Sequence, residues 1–550
     1  MLIGLGVLAT LAVSPFLLEV LGRFLGPKEA PRFSDLTGFI LLQSAISLAF
    51  IFPATLLTGM TFPVVARLVT TSHRQTGADV GVAYFADTIG AIGGSLLAGF
   101  LLIPHLGTLD SLKALALVNL VIGGVALAAT SAGGKEIRFS LPRLGVLAGG
   151  VVAVFFVVQH SIPKNTFTEI FTAPDATLDY IHEDLGGTVT IENYGDHRTI
   201  SINGINVAGT DLKFEATQKL QAHLALLLHP RPEKILQIGF GSGGTAWSIT
   251  RHPVREIHCV EITSAVINAR DHFRETNHDV LADKRVRVCL DDARSYLVKC
   301  EQQYDAILSD SIHPRYAGNG GLYSKDYYRL CQQHLKPDGI FSAWLPMHGM
   351  ALEDFRVATR SLKAVFPHVY LFHTPVGRTE WTIILGMNQP LKFDLDLLRQ
   401  KLAQPAVQED LNLIRMARAE DILNCFMVGD ATMAKFLGSS TALNTDDLPY
   451  LELVTPRSTI RGSREALLVP LYTELIKQRE PVAPYVSGGA PLPPGFQTSY
   501  DSADHALQAR LTEVLNPSDQ AKVRAELETA LRLDPGNNVA RNLMERFGGK

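Results

Sequence analysis

The chain has 550 residues, enough for more than one domain, with a formal net charge of −4 and no long Lys/Arg block. That balance argues against nucleic acid as the main partner. Five scattered cysteines (Cys259, Cys289, Cys300, Cys331, Cys425) without C-x-x-C spacing predict free thiols in a reducing compartment, neither a disulfide framework nor a metal site.

Residues 1–160 hold long apolar runs. Five segments, about 2–22, 37–58, 81–104, 112–130 and 142–159, approach the roughly 20 apolar residues that span a bilayer. So many within so short a stretch predict an α-helical transmembrane region and membrane lipid as a partner. Residues 2–22 lack the basic flank and cleavage site of a secretory signal. In the third segment Gly90, Gly93, Gly94 and Gly99 offer small faces for close helix packing. Asp87 lies in the same segment, either an interfacial or helix-pairing acid or an intramembrane functional one. The basic residues Arg23, Lys28 and Arg32 and, on the opposite side, Lys135, Arg138 and Arg143 do not fix the topology.

From about 165 to 210 the runs TLDYIHED, GTVTIENYG and HRTISINGINVAG, broken by turn residues, predict a small antiparallel β-sheet. A helix is expected over about 212–228. KILQIGF, EIHCVEI, VRVCLDD, YDAILSD, GIFSAWL and WTIILGM then read as apolar strands with helices between many of them. That alternation predicts an α/β domain with a mostly parallel sheet. Residues 479–500, rich in Pro and Gly, read as a linker. Residues 501–550 read as a helical tail in which AELETALRLDPGNNVARNLMERF resembles part of a tetratricopeptide unit, either a packing tail or a docking element.

The most informative stretch is Lys234 to Glu261. Gly239, Gly241 and Gly244 fit G-x-G-x-x-G after a strand, and Glu261 follows at the distance of a ribose-binding carboxylate. Glycine is needed where the backbone turns sharply and a ligand approaches with no Cβ in the way. An adenosine-containing cofactor is the implied ligand. Such ligands bind beyond the carboxyl ends of parallel strands. There the sequence places acids at three successive strand ends: Glu261, the pair Asp291 and Asp292, and Asp310.

The run ILQIGFGSGG…VEI…LDDAR…YDAILSDSIHP…LYSKDYYRLCQQHLKPDGIF resembles the polyamine aminopropyltransferases, the spermidine synthase family. GMTFPVVARL at 59–68 and ALNTDDLPYLEL at 442–453 are similar to its membrane-bound subgroup. The resemblance implies a Rossmann-like, S-adenosylmethionine-dependent transferase domain over 211–458. It further implies a multi-pass cell-membrane protein with that domain facing the cytoplasm, where adenosine cofactors are found. Family roles then fall on Asp310 as catalytic acid, Glu261 at the ribose and Asp292 at the adenine amino group, with Gly239, Gly241, Ser242, Gly244 and Asp291 completing the cofactor cleft. His223, His313 and Tyr323 fall on the substrate side. The co-substrate would be decarboxylated S-adenosylmethionine, with S-adenosylmethionine itself the other candidate and no metal. The acceptor would be a small-molecule amine such as putrescine. A homo-oligomer is one assembly left open.

The family's Asp in the glycine turn is Ser242 here, and the second Asp of its D-S-S-D-P motif is His313. An acceptor-binding Tyr is Thr217, and a following acid is Lys219. Each departure removes an anchor that a polycationic amine would use. Alternatives therefore stay open. One is methyl or aminocarboxypropyl transfer from S-adenosylmethionine, which the neutral Ser242 tolerates. Another is a non-catalytic membrane sensor of an adenosine ligand. A nicotinamide dehydrogenase explains the glycines and Glu261 but not Asp292 and Asp310. The loop 313–322, HPRYAGNGGL, is Gly-rich and expected to act as a lid.

Overall fold

The computed structural model describes residues 1–25, 36–70, 72, 74–130, 149–150, 156, 172–173, 175–184 and 186–547. The chain divides into two compact units, one holding residues 1–192 and 202–204, the other 193–201 and 205–550.

In the first unit, helices span Leu2–Leu25, Leu36–Gly59, Thr61–Val69, Thr76–Leu97 and Ile103–Thr130. Two stretches, Ile40–Val69 and Thr76–Ala126, have the length and apolar composition needed to cross a membrane, and Leu2–Leu17 is a shorter apolar helix. The second stretch contains the third expected segment and most of the fourth. Its backbone leaves the helical region at Gly107 (φ 79°), between them. The fifth, 142–159, lies almost wholly outside the described residues. Leu8, Leu11, Leu109, Ala116 and Leu120 form a small buried cluster. By contrast Leu41, Leu68, Val82, Phe85 and Phe100 are exposed. A Cβ on Gly90, Gly93, Gly94 or Gly99 would meet no described atom within 4 Å. Asp87 is exposed on the same helix.

Four short strands follow: β1 (Thr177–Asp184), β2 (Gly187–Asn193), β3 (Arg198–Ile202) and β4 (Ile205–Gly209). Asn203 and Gly204, both at positive φ (51° and 75°), make the tight turn from β3 to β4.

The second unit is built on an eight-stranded sheet. Its strands are β5 (Lys234–Ile238), β6 (Glu256–Glu261), β7 (Val286–Leu290), β8 (Tyr304–Ser309), β9 (Leu335–Pro346), β10 (His368–His373), β11 (Trp381–Met387) and β12 (Phe426–Val428), in the order β12-β10-β11-β9-β8-β5-β6-β7. The strands β9, β8, β5, β6 and β7 are parallel neighbours. At β9 the sense reverses, and β11, β10 and β12 pair antiparallel. The sheet is thus mixed rather than mostly parallel throughout. Seven residues separate β10 from β11, enough only for a hairpin return.

Side chains alternate between two cores. Ile307 and Ile384 enter one, whereas Ala306, Leu308, Ile383 and Leu385 enter the other. Burial on both faces explains why these strands read as unbroken apolar runs. The helix Leu212–Leu228 covers the second face through Ala216, Leu220 and Leu224. The helices Lys325–Gln333 and Leu352–Lys363 cover the first through Tyr327, Tyr328 and Phe355.

Residues 479–500 are folded against the sheet rather than forming a loose linker. Val482, Val486 and Phe496 are buried, and the Phe393 N–H donates to the Tyr485 carbonyl at 2.7 Å. The apolar residues among the prolines supply the burial that a Pro/Gly composition alone would not. Beyond them, helices Phe496–Leu515, Gln520–Leu533 and Asn538–Met544 enclose Ala506, Leu527, Ala530 and Leu543. This tail is tied back by Arg418 to Asp534 (3.1 Å) and Arg510 to Glu380 (2.8 Å), a packed tail in this fold.

Candidate active site

The parallel strands end together, and their carboxyl edge gathers the residues singled out in the sequence. After β5 the chain turns through Gly239, Gly241 and Gly243, all at positive φ (86°, 56° and 87°). A side chain at Gly239 would be strained for that reason, and its Cβ would also lie 2.6 Å from the Asp310 carbonyl oxygen. Gly244 opens the following helix, Gly244–Thr250, and its missing Cβ leaves room for the Gln218 amide (2.4 Å to an added Cβ). Gly243, which the spacing rule skipped, thus joins Gly239 and Gly241 in the left-handed region, and Gly244 does not. Gly239→Ala should cost about 1–2 kcal/mol of stability from the left-handed backbone alone. Because the added carbon presses on Asp310, it should also lower turnover at least ~10-fold, as chemical denaturation and steady-state rates would show.

Glu261, at the end of β6, is buried with its two oxygens held by different backbone donors. The Phe240 N–H donates to one at 2.8 Å and the Thr263 N–H to the other at 3.0 Å. The carboxylate is thus rigidly placed beside the glycine turn. Asp292 caps the helix Ala293–Lys299, accepting from the Ser295 N–H at 2.8 Å. Asp291 accepts from the Asp292 N–H (2.9 Å) and pairs with Lys299 (2.9 Å), which holds its carboxyl below the usual range.

Asp310 follows β8 directly. Burial pushes its carboxyl up to about 7. Thr245, 3.4 Å away, and the Trp344 indole work against that shift, and the charge of Glu261 adds to it. Among the described residues the Trp344 N–H makes no hydrogen bond of good geometry. The Tyr323 hydroxyl donates to the carbonyls of Ser311 (3.2 Å) and Trp344 (3.4 Å), and burial, Tyr328 and Asp310 raise its pKa.

Two other predicted residues lie in unexpected company. Ser242 is buried with its hydroxyl donating to the Gln218 side chain at 2.9 Å. Gln218, which also accepts weakly from Thr245 through its carbonyl (3.4 Å), is the residue sequence reasoning missed. Its one signal was its place beside Thr217 and Lys219. His223 is fully buried, its Nε2 donating to Asp410 at 2.8 Å and its Nδ1 2.9 Å from His252 Nε2. Asp410 also binds Lys219 at 2.7 Å and the Ser248 hydroxyl at 2.6 Å. His223 thus belongs to a buried polar network behind the edge.

His313 is buried, its Nε2 donating to the His348 carbonyl at 2.8 Å and its Nδ1 accepting from the Arg315 N–H at 3.2 Å. The loop after it is anchored at its far end. Gly320 binds Glu452 through its N–H (3.0 Å) and Asn444 through its carbonyl (2.8 Å), while Ser324 donates to Asp446 (2.7 Å). Ala317 and Gly318 are left exposed between these anchors. Beside the site, Phe214, Trp344 and Trp381 cluster, with ring centroids 5.2 Å (Phe214–Trp381) and 5.6 Å (Trp344–Trp381) apart. Thr217, Leu220, Phe372, Trp381 and Ile383 line a small apolar cavity of about 20 Å³. Among the described residues no cluster of three or more metal-ligating side chains is present.

The arrangement combines a glycine turn, a rigidly held acid, and a carboxyl tuned near neutrality. A family model described as the spermine/spermidine synthase domain matches residues 215–392. A polyamine aminopropyltransferase of Thermotoga maritima is 30% identical over 207 residues, 36% of this chain and 70% of the relative. Another, from Oceanobacillus iheyensis, is 23% identical over 370 residues, 64% of this chain and 69% of its own. A spermidine synthase solved with the transition-state analogue AdoDATO is 24% identical and covers 43% of this chain and 88% of its own, at a TM-score of 0.34, too distant to add to this. On the strength of the Thermotoga match, the chain belongs to the spermine/spermidine synthase family, the polyamine aminopropyltransferases, and is a transferase.

Proposed function

We propose that this enzyme moves an aminopropyl group from decarboxylated S-adenosylmethionine to the nitrogen of a small amine. The observation that carries the reading is Asp310, a half-buried carboxyl pushed up to about 7 at the strand end next to the glycine turn. The donor's sulfonium is already an activated leaving group, so no general acid is needed. An aliphatic amine, with a pKa near roughly 10.4 by the lysine reference, arrives protonated and must lose a proton to react. Asp310 accepts it. The nitrogen lone pair forms the new N–C bond as the C–S bond breaks, and the bonding pair leaves with sulfur as neutral methylthioadenosine. Glu261 and Asp292 would hold the donor's ribose and adenine, and the glycine turn would admit its backbone-facing edge. The His313–Tyr323 loop would close over the pair and exclude water.

The apolar N-terminal helices support a multi-pass membrane anchor, with the catalytic unit on the cytoplasmic side where its donor is found. Putrescine is the acceptor the family relationship suggests first.

Thioether release by the purified protein, with decarboxylated and intact S-adenosylmethionine in parallel, tests this. Methylthioadenosine formed only from the decarboxylated donor plus an amine supports aminopropyl transfer, whereas product from the intact donor alone moves the enzyme to another transfer class. The pH profile is a second test. Because only ionised Asp310 accepts a proton, kcat/KM should rise about tenfold per pH unit below 7 and bend near 7. That bend should be missing in Asp310→Asn.

A further inference from the structure

The surroundings of Asp310 on the β9–β11 side are cationic and aromatic. Lys213 sits 5.0 Å from the Trp381 ring centroid and 5.8 Å from that of Phe214. Arg315 lies over Tyr316, 4.7 Å from its centroid, and donates to its hydroxyl at 2.6 Å. Both are half-buried. Neither has a carboxylate within ion-pairing distance among the described residues. The acids around them are engaged elsewhere: Asp211 caps the Leu212–Leu228 helix, and Glu380 is held by Arg464 and Arg510.

The two cations flank His348. An added Cβ on its neighbour Gly349 would lie 2.4 Å from the Arg315 guanidinium. The Trp381 indole N–H donates to His348 Nδ1 at 3.1 Å, so that nitrogen carries no proton. Burial, with Lys213 and Arg315 beside it, holds the His348 ring down to about 3. His313 has both nitrogens committed and is likewise held neutral by its burial. The wall Phe214–Trp381–Trp344 leads from Lys213 to Asp310. Apart from Asp310, this flank offers a second ammonium no anion, and it offers an anion two preset cations on stacked aromatic supports.

We propose that the acceptor is a zwitterionic amine, with its nucleophilic nitrogen at Asp310 and a carboxylate or other anionic group held between Lys213 and Arg315. This rests on the aminopropyl-transfer reading and replaces a diamine as its acceptor. Arg315 suits the role because its planar fork matches an oxyanion bidentately, while Lys213 supplies a point charge. An acceptor with two cationic ends would place its distal charge against both.

The experiment compares 4-aminobutyrate with putrescine, which have the same carbon spacing and differ only in the charge of the far end. The full-length protein is used, with the decarboxylated donor, and the product is identified by mass. The expected kcat/KM is ~10-fold or more in favour of 4-aminobutyrate, a discrimination typical of one charge-assisted pair. Arg315→Gln and Lys213→Met should each raise KM for the amino acid with kcat little changed, and Arg315→Glu should turn the preference toward putrescine. Faster turnover of putrescine, with a ratio indifferent to these substitutions, would overturn the proposal and leave aminopropyl transfer standing. If no amine yields thioether, aminopropyl transfer falls. The charge preference is then decided by equilibrium binding of the two probes to the protein loaded with methylthioadenosine. Tighter 4-aminobutyrate that weakens in Arg315→Glu upholds the zwitterion site, and tighter putrescine removes it.

Discussion

Asp310→Asn is expected to reduce aminopropyl transfer by about 10²–10⁴-fold, the usual worth of a positioned proton acceptor, while making the protein more stable at alkaline pH. Both effects come from burial. The fold prefers this carboxyl protonated, as its rise to about 7 records. Its contribution to stability is therefore full below the unfolded-state value near 4 and is lost as pH rises through 7. The displacement corresponds to about 4 kcal/mol at most. Asn cannot ionise, so the variant should melt above wild type at pH 8 and level with it near pH 4. Thermal unfolding at the two pH values, beside the transfer rate, gives the comparison. Loss of activity with no pH-dependent gain in Tm would mean that Asp310 is already ionised in the resting enzyme.

Asp410→Ala should unfold the catalytic unit more readily by about 3–5 kcal/mol, the cost of breaking a buried ion pair. Lys219 and Asp410 are each 1% exposed and 2.7 Å apart, and the same carboxylate takes His223 and Ser248. Burial raises the pKa of Asp410, but His223 and Lys219 outweigh it and hold it well below the carboxylate range. His223 is itself kept low by burial, then raised in part by Asp410. Deleting the acid leaves the buried Lys219 ammonium without its ion-pair partner. Replacing both partners, Lys219→Met with Asp410→Leu, should recover most of the loss. Guanidinium titration would separate the two cases. A double variant as unstable as the single one would place the effect in packing rather than charge.

Much of the catalytic edge was legible because its signals are local. Strand, glycine turn and acid lie within one stretch of sequence, so Gly239 and Glu261 could be placed from it, and Asp310 from the apolar strand it follows. What failed depended on partners far along the chain. His223 read as a substrate residue because nothing near it announces Asp410, 187 positions later. The strand His368–His373 was missed, and with it the reversal of sense beyond β9. Alternating helices and strands look the same whether the next strand joins parallel or returns as a hairpin. The stretch 479–500 was misread because composition counts Pro and Gly but not which valines find a core. Ser242 and Gln218 show the limit most sharply, since only their 2.9 Å contact reveals that the turn's hydroxyl is already engaged.

The clamp on Glu380 bears on how the enzyme is made. This residue is 9% exposed on its side chain and precedes Trp381 in the aromatic wall, and one of its two arginine partners is Arg510. A nascent chain that has exposed Asp310 and the glycine turn still lacks that guanidinium, and a buried carboxylate short of a partner disfavours closure of the wall. The aromatic wall of Phe214, Trp344 and Trp381 is therefore expected to close only once residue 510 has been made. A ribosome stalled before residue 510 would carry a unit whose glycine turn and strand-end acids are in place and whose aromatic wall is still open.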